Sequence, residues 1–203
     1  SNDYTYAGVI SGTGAVTKLQ NTTLTLTGDN TASGTTTVSA GTLKLGNNTS
    51  TGSVGGNISN SGAVIFSRSN DHTYGGEISG TGSVTKLQNS VLTLTGNNTY
   101  SGTTTVSAGK LLVNGSTVSG IVNVDAGATL GGTGTAAGMV NVADGGAIEP
   151  GSGGAGALST GKLSLNSGSI LNFDLGTSRD SIKVTGDLTL DGILNITALE
   201  GFG

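Results

Sequence analysis

The sequence has no cysteine, one histidine, one proline and only 3% aromatic residues. Without cysteine it can form no disulfide, thiol nucleophile or cysteine-ligated zinc site. A single histidine excludes a multi-histidine metal site, and a single proline excludes collagen-like and polyproline segments. So few aromatic side chains cannot build a stacking surface for nucleic acid or sugars. No apolar run approaches the roughly 18 residues of a membrane helix.

Charge is also scarce, at 10% of the 203 residues, with a net charge of −4. So small a net charge argues against a chain that is disordered because of charge repulsion. Residues 121–203 hold eight acids against three bases, which disfavours nucleic acid or an anionic membrane as a partner. Residues 1–10 show no signal peptide. The polar start and the pattern at residues 199–203 lead us to expect a mature fragment of a larger protein.

The abundant residues form a long internal repeat. Residues 2–43 align without a gap on residues 70–111, and 33 of the 42 aligned positions are identical. The apolar positions of the two copies are spaced mostly by two, which is typical of strands rather than helices. They pair as Ile10/Ile78, Val16/Val84, Leu19/Leu87, Leu24/Leu92, Leu26/Leu94, Val38/Val106 and Leu43/Leu111.

A shorter motif lies within the long repeat: an apolar residue, two polar or small residues, a glycine, and then alternating apolar residues. It occurs as Val38-Ser-Ala-Gly41-Thr-Leu43 and as Val106-Ser-Ala-Gly109-Lys-Leu111, with looser forms around Gly127 and Gly145. Glycine adopts the left-handed corner conformation at low steric cost. The motif therefore predicts strand, tight corner, strand.

Glycine, threonine, valine and asparagine are poor helix formers, so few helices are expected. A chain this poor in large apolar residues fills a narrow solenoid core more easily than a wide sandwich core. We predict an all-β fold: a right-handed, single-stranded parallel β-helix (β-solenoid) of about nine coils. Asn123 and Asn141, at matching places in glycine-rich coils, should stack. An antiparallel sandwich or barrel remains the structural alternative.

The segment Gly28-Asp-Asn-Thr-Ala-Ser-Gly34-Thr-Thr-Thr-Val38-Ser-Ala-Gly41-Thr-Leu43 and its copy at 96–111 resemble the autotransporter-associated β-strand repeat, also called the passenger-associated transport repeat. Tyr100 fits the aromatic position of that pattern, and Ala32 departs from it. Residues 163–196 are similar to the segment before an autochaperone region. We therefore expect one β-helix over residues 1–203, with two long repeats in 1–113 and irregular turns in 114–203.

The resemblance implies an autotransporter passenger, exported across the outer membrane by a C-terminal barrel of the parent protein and displayed at the bacterial cell surface or released. Its implied role is that of a non-catalytic structural stem. Implied partners are the barrel and a host or cell-surface receptor. Separately, the end coils show no capping pattern, so we expect further copies to meet end to end. An adhesin or a self-assembling fibre subunit is the alternative, and a polysaccharide-active enzyme is less favoured.

Possible catalytic groups are few. His72 lies next to Asp71 with many serines nearby, but a Ser–His–Asp site needs three groups assembled by the fold. We expect His72 on an exposed turn. Clustered carboxylates could serve a polysaccharide-active β-helix. The candidate acids and bases are Asp174, Asp180, Asp187, Asp191, Arg179 and Lys183. Because the strand pattern points Ile182, Val184, Leu188 and Leu190 inward, we expect these charged residues to be exposed or to cap turns.

Three kinds of ligand site find little support in the sequence. No repeated Gly-Gly-x-Gly-x-Asp motif for calcium is present. Residues 131–134, Gly-Gly-Thr-Gly, are followed by neither the lysine nor the helix of a phosphate loop. Thr23, Thr25 and Thr27 should lie on the outer face, where a flat threonine array could order water as in ice-binding proteins. The matching row of the second copy is expected about three coils away, so a continuous array is not expected. We predict no catalytic residue, cofactor or metal site.

Overall fold

The computed structural model describes residues 2–201. These residues form 26 strands and no helix, so no helix among them could cross a membrane. Every pairing between neighbouring strands is parallel, apart from two isolated antiparallel bridges. The molecule is a β-solenoid, as predicted.

One ten-stranded sheet runs through the whole solenoid, and each turn contributes one strand to it. Its strands, in order, are β1 (Tyr4–Tyr6), β3 (Thr23–Leu26), β5 (Thr42–Thr49), β7 (Ala63–Arg68), β10 (Ser83–Lys86), β13 (Thr104–Val106), β16 (Ile121–Val124), β19 (Met139–Val142), β22 (Leu163–Leu165) and β25 (Leu188–Thr189). The structure therefore has ten turns, in agreement with the prediction of about nine. Turn length varies along the sheet, since Val122 pairs with Val140 whereas Leu163 pairs with the more distant Leu188.

A second side of the solenoid carries seven strands: β8 (His72–Tyr74), β11 (Val91–Leu94), β14 (Gly109–Val113), β17 (Ala128–Gly132), β20 (Ala147–Pro150), β23 (Ile170–Leu175) and β26 (Ile193–Ala198). In the turns before β8, loops occupy this side.

The third side begins with four strands and continues with five. The four are β2 (Val16–Lys18), β4 (Thr36–Val38), β6 (Ile58–Asn60) and β9 (Ile78–Ser79). The five are β12 (Asn97–Asn98), β15 (Ser116–Thr117), β18 (Thr135–Ala136), β21 (Ala157–Thr160) and β24 (Ser181–Val184). The Thr99 amide donates to the Ile78 carbonyl at 2.9 Å, which joins the two sheets into one side.

The core consists of ladders of inward side chains, one per turn, from registered strands. One ladder on the ten-stranded sheet is Tyr4, Leu24, Leu43, Val64, Val84, Thr104, Val122, Val140, Leu163 and Leu188. A second is Tyr6, Leu26, Leu45, Phe66, Lys86, Val106, Val124, Val142 and Leu165. Members between the end turns are mostly buried. Burial of about 25 cal/mol per Å² of apolar surface makes these ladders the main stabilising contact between turns.

The corner glycines fulfil the prediction made from the short motif. Gly41 and Gly109 have φ values of 70° and 66°. A Cβ at either position would overlap a backbone oxygen of the preceding turn, that of Thr22 or Ser90. Conformation and space both require glycine, which is why the motif recurs at tight corners.

The two long repeats do not occupy equivalent places. In the first copy β2 and β3 lie on the four-stranded and ten-stranded sheets, whereas their equivalents β10 and β11 lie on the ten-stranded and seven-stranded sheets. The cause is that the offset between the two repeats is eight residues longer than three turns. Leu24 is followed in its ladder by Leu43, Val64 and Val84, and its copy Leu92 lies eight residues after Val84. Equivalent residues of the two copies are therefore separated by three turns plus one side of the solenoid, where about three turns were expected.

Candidate functional site

A groove of about 410 Å³ lies on the outer face of the seven-stranded sheet. Thr73, Thr93 and Leu112, which share one outward row, line it together with neighbouring residues. The ammonium of Lys110, at its margin, lies 2.6 Å from a carboxylate oxygen of Glu149, so its charge is balanced. The groove can contact a polar ligand, but it contains no free pair of catalytic carboxylates.

His72 borders this groove but takes an inward position in β8, as the register partner of the buried Leu92, which corrects its expected place on an exposed turn. It opens strand β8 and is half-buried. Burial and the nearby Arg68 guanidinium lower the pKa of His72, and Asp29 opposes this shift. The Asp71 carboxylate accepts a hydrogen bond from the Val91 amide at 2.8 Å, so it orients the backbone rather than the imidazole. No Ser–His–Asp relay is formed among residues 2–201.

The C-terminal acids have separate partners. Asp180 is buried and caps a turn, accepting from the Gly156 amide at 2.7 Å and the Asp174 amide at 2.8 Å. The exposed Asp187 carboxylate lies 2.6 Å from the Lys162 ammonium. These contacts agree with the turn-capping and outward roles expected from the sequence. No group of three or more metal-ligating side chains lies together within the described residues.

Thr25 takes the outward position expected of it, because it alternates with the ladder residues Leu24 and Leu26 and has Thr5 and Lys44 as its register partners. It is nevertheless only 8% exposed. Thr93 lies on a different sheet from Thr25, because the repeats are out of phase with the turns. The rows of the two copies therefore cannot form one flat array.

Two buried lysines carry a role that sequence reasoning missed. The Lys86 side chain enters the core between Phe66 and Val106, and its ammonium donates to the carbonyls of Leu87 at 2.5 Å, Gln88 at 2.7 Å and Ala108 at 3.2 Å. Lys18, its copy, donates to two corner carbonyls in the same way. The alternation Val84-Thr-Lys86 already places the lysine on the inward face. Each ammonium ties together the corners of adjacent turns.

The environment of Lys86 makes stability depend on pH. Burial lowers the pKa of Lys86 to about 8 from 10.5, against the opposing field of Asp71. The unfolded chain therefore holds more protons than the folded chain between these values, and stability rises with pH there. We expect a gain of about 2 kcal/mol between pH 8 and pH 10, measured by urea unfolding.

Lys86→Met is the control for that gain, because it keeps the buried stem and removes the titrating group. Its free energy of unfolding should rise less over the same interval. The measurement stops at pH 10, since buried Tyr74 and Tyr100 have raised pKa values and oppose the trend above it. A wild-type stability that falls from pH 8 to pH 10 would contradict the proposed state of Lys86.

A buried asparagine in each repeat links three turns. The Asn98 side-chain oxygen accepts from the Ile78 amide at 2.9 Å, and its amide group donates to Ser116 at 3.1 Å and to Gly96 at 3.0 Å. Asn30 makes the equivalent contacts with Ile10, Ser53 and Gly28. This explains physically the asparagine in the Gly-x-Asn part of the repeat. On the outer face, Asn141 donates to Asn123 at 3.2 Å, which confirms their predicted stacking.

The family comparison matches these structural residues. The passenger-associated transport repeat model matches residues 16–45 and 84–113, the segments that contain the buried lysines, asparagines and corner glycines. One curated relative is the adhesin BmaC autotransporter of Brucella suis biovar 1 (strain 1330), 45% identical over 215 residues. That alignment covers 99% of this chain and 6% of the relative's length. The chain is thus a β-solenoid that contains two passenger-associated transport repeats and is similar, over nearly its whole length, to a short part of an autotransporter adhesin.

Proposed function

We propose that this chain acts as a rigid, non-catalytic stem within an autotransporter passenger at the bacterial surface or released from it. The observation that carries the proposal is the uninterrupted ten-stranded sheet with its core ladders. A solenoid of this kind holds its two ends at a fixed separation, because each turn stacks on the next. The parent's outer-membrane barrel is the proposed export partner, and a single β-helix over residues 1–203 is the proposed domain.

X-ray scattering of dilute protein tests the rod. Ten strands spaced by about 4.8 Å give about 43 Å between the first and last strand axes. We expect a scattering profile of an elongated particle with that axial extent plus its hydration. A compact, spherical profile would overturn the stem.

Enzyme assays test the absence of catalysis separately. Purified protein should not hydrolyse peptides or esters and should not cleave polyuronates. The chemical reason is that Asp71, Asp180 and Asp187 are each engaged by a backbone amide or a lysine rather than by one another. Activity that disappears in His72→Ala or Asp180→Ala would contradict a purely structural role.

We propose adhesion as the second function, supported by the relative's designation as an adhesin and by the groove on the seven-stranded sheet. A receptor segment could contact Thr93 on the groove floor. Thr93→Arg should fill the groove and reduce binding of the immobilised protein to host cells, whereas Thr95→Arg, at an exposed position beside it, should not. Equal binding by both variants would exclude the groove as the contact.

A further inference from the structure

A loop within the solenoid, residues 151–156, joins strands β20 and β21. It lengthens its turn, since the register partners Val140 and Leu163 are 23 residues apart, whereas Val122 and Val140 are 18 residues apart. Residues 152–154 of the loop are exposed. The additional residues of this turn therefore extend from the surface of the solenoid into solvent.

The backbone of this loop is free of the sheets on either side of it. Within the described part of the chain, the backbone groups of residues 152–155 make no hydrogen bond. A Cβ added at Gly153 or Gly154 would meet no other atom within 4 Å, so the chain has open space around it. Exposed loop tips of small residues are preferred sites of proteolytic cleavage. These residues can enter a protease without breaking a backbone hydrogen bond of the solenoid.

Both ends of the loop are fixed to neighbouring turns. The Gly151 amide donates to the Gly132 carbonyl at 2.9 Å, and the Gly151 carbonyl accepts from the Gly132 amide at 2.8 Å. The Gly156 amide donates to the buried Asp180 carboxylate at 2.7 Å, and the Gly156 carbonyl accepts from the Ser181 amide at 2.9 Å. A cut between these two anchors leaves each of them in place.

We propose that the bond between Ala155 and Gly156 is a cleavage site for a protease with a small specificity pocket, and that the cut chain stays assembled. Hydrolysis consumes one water molecule, which gives the carboxylate of Ala155 and the ammonium of Gly156 at neutral pH. Ala155 is the residue that enters the pocket, because Leu158 beyond it is buried and residues 151–161 contain no lysine or arginine.

The new ammonium forms beside a buried acid. The Gly156 nitrogen already lies 2.7 Å from one carboxylate oxygen of Asp180, whose other oxygen accepts from the Asp174 amide at 2.8 Å. Both of these partners are neutral amides before the cut, and one of them becomes a cation after it. A hydrogen bond between two charged groups is roughly twice as strong as a neutral one. Cleavage therefore strengthens the contact that holds the new end.

The strands on the two sides of the cut remain paired with each other. Strand β21 pairs with β18, β22 with β19 and β23 with β20, so pairing crosses the cut on all three sides of the solenoid. Leu158, Leu163 and Leu165 are buried in the shared core. The fragments 1–155 and 156–203 are thus expected to stay together until the solenoid unfolds.

Limited digestion of the full chain with pancreatic elastase, whose pocket is small, tests the site. Mass spectrometry after denaturation should identify the fragments 1–155 and 156–203, while native sedimentation should match that of the uncut chain. Ala155→Asp should slow this cut by about tenfold or more, because a small apolar pocket excludes the carboxylate. Ala126→Asp should leave the rate unchanged: this exposed alanine lies in a corner where the adjoining Asp125 and Gly127 amides are paired.

Trypsin provides the contrast in backbone pairing. The Lys162 side chain is exposed, but its carbonyl accepts from the Val140 amide at 2.8 Å, and the Leu163 amide donates to the Asp187 carbonyl at 3.0 Å. Under the same conditions trypsin should leave the bond after Lys162 intact. Equally fast cutting after Lys162 and Ala155 would overturn the proposal, because pairing of the backbone would then not select the site.

Asp180→Asn tests the capture of the new ammonium, since it removes the charge from that side chain. Cleavage should lower the urea midpoint of Asp180→Asn by more than it lowers that of the wild type. If this variant does not fold, the comparison is made between cut and uncut wild type at neutral pH and at about pH 10, where a free amine of ordinary pKa is uncharged. Cleavage should then be more destabilising at the higher pH.

Three results would overturn the proposal. The first is a native chain that resists elastase at Ala155 while the heat-unfolded chain is cut there. The second is separation of the two fragments in native sedimentation. The third is an equal loss of urea midpoint on cleavage whether or not the Asp180–ammonium pair can form. Circular dichroism verifies that each variant is folded before digestion.

Discussion

Deleting residues 122–139 should leave a folded solenoid that is one turn shorter. Val122 and Val140 are register partners, so the deletion joins Ile121 to Val140 and places Ile121 where Met139 stood. The deleted segment contains one strand from each side, and neighbours on all three sides can pair again in the same direction. A cooperative melt at a moderately lower temperature is expected, because a solenoid loses only one turn and one interface.

Deleting Asn123 alone should destabilise the protein more than deleting that whole turn. Removal of one residue within a strand moves the following side chains to the opposite face. Either Val124 leaves its ladder between Val106 and Val142, or the Asp125 carboxylate takes its place in the core. Urea unfolding of both deletion variants compares their free energies of unfolding. A higher stability for the single-residue deletion would contradict the assigned register.

Replacing Leu94 with Asp should disrupt the middle turns. Leu94 is fully buried, with Tyr74 and Val113 as its register partners. An unpaired carboxylate at this place costs several kcal/mol. In a chain of this size that corresponds to a loss of about 10 °C or more in melting temperature.

The matched control is Thr95→Asp, one residue further along at an exposed position, with an expected effect within about 0.5 kcal/mol. Limited proteolysis should cut Leu94→Asp first near the strands that contact position 94, since each turn contacts only its neighbours. A melt within one degree of the parent would contradict the inward position of Leu94.

The solenoid and its corners could be predicted because they depend on short sequence patterns. Alternation around Leu92 and Leu94 defines an inward face, and Gly41 and Gly109 mark corners that only glycine fits. The exact number of turns was harder to predict, because the turns differ in length and the first turns have a loop where later turns have a strand of the seven-stranded sheet.

The side chains that sequence reasoning missed were polar residues with buried ends. Lys86 follows the inward alternation, but its charge normally indicates a solvent-facing position, and the three carbonyls that receive its ammonium come from the folded corner. His72 was assigned to an exposed turn because its burial depends on the register that places it beside Leu92 in the fold. Leu190 was assigned inward, and it lines an apolar hollow of the last turn.

The eight-residue excess of the long repeat over three turns has a consequence for how such a molecule can grow. Each added copy is rotated by one side about the solenoid axis relative to the copy before it, as in a screw. All three sides require the same alternation of inward and outward residues, so a gene duplication need not contain a whole number of turns to be accommodated. An identical surface motif would then face a new direction with each duplication, and a lengthening passenger would present it around its circumference rather than along one line.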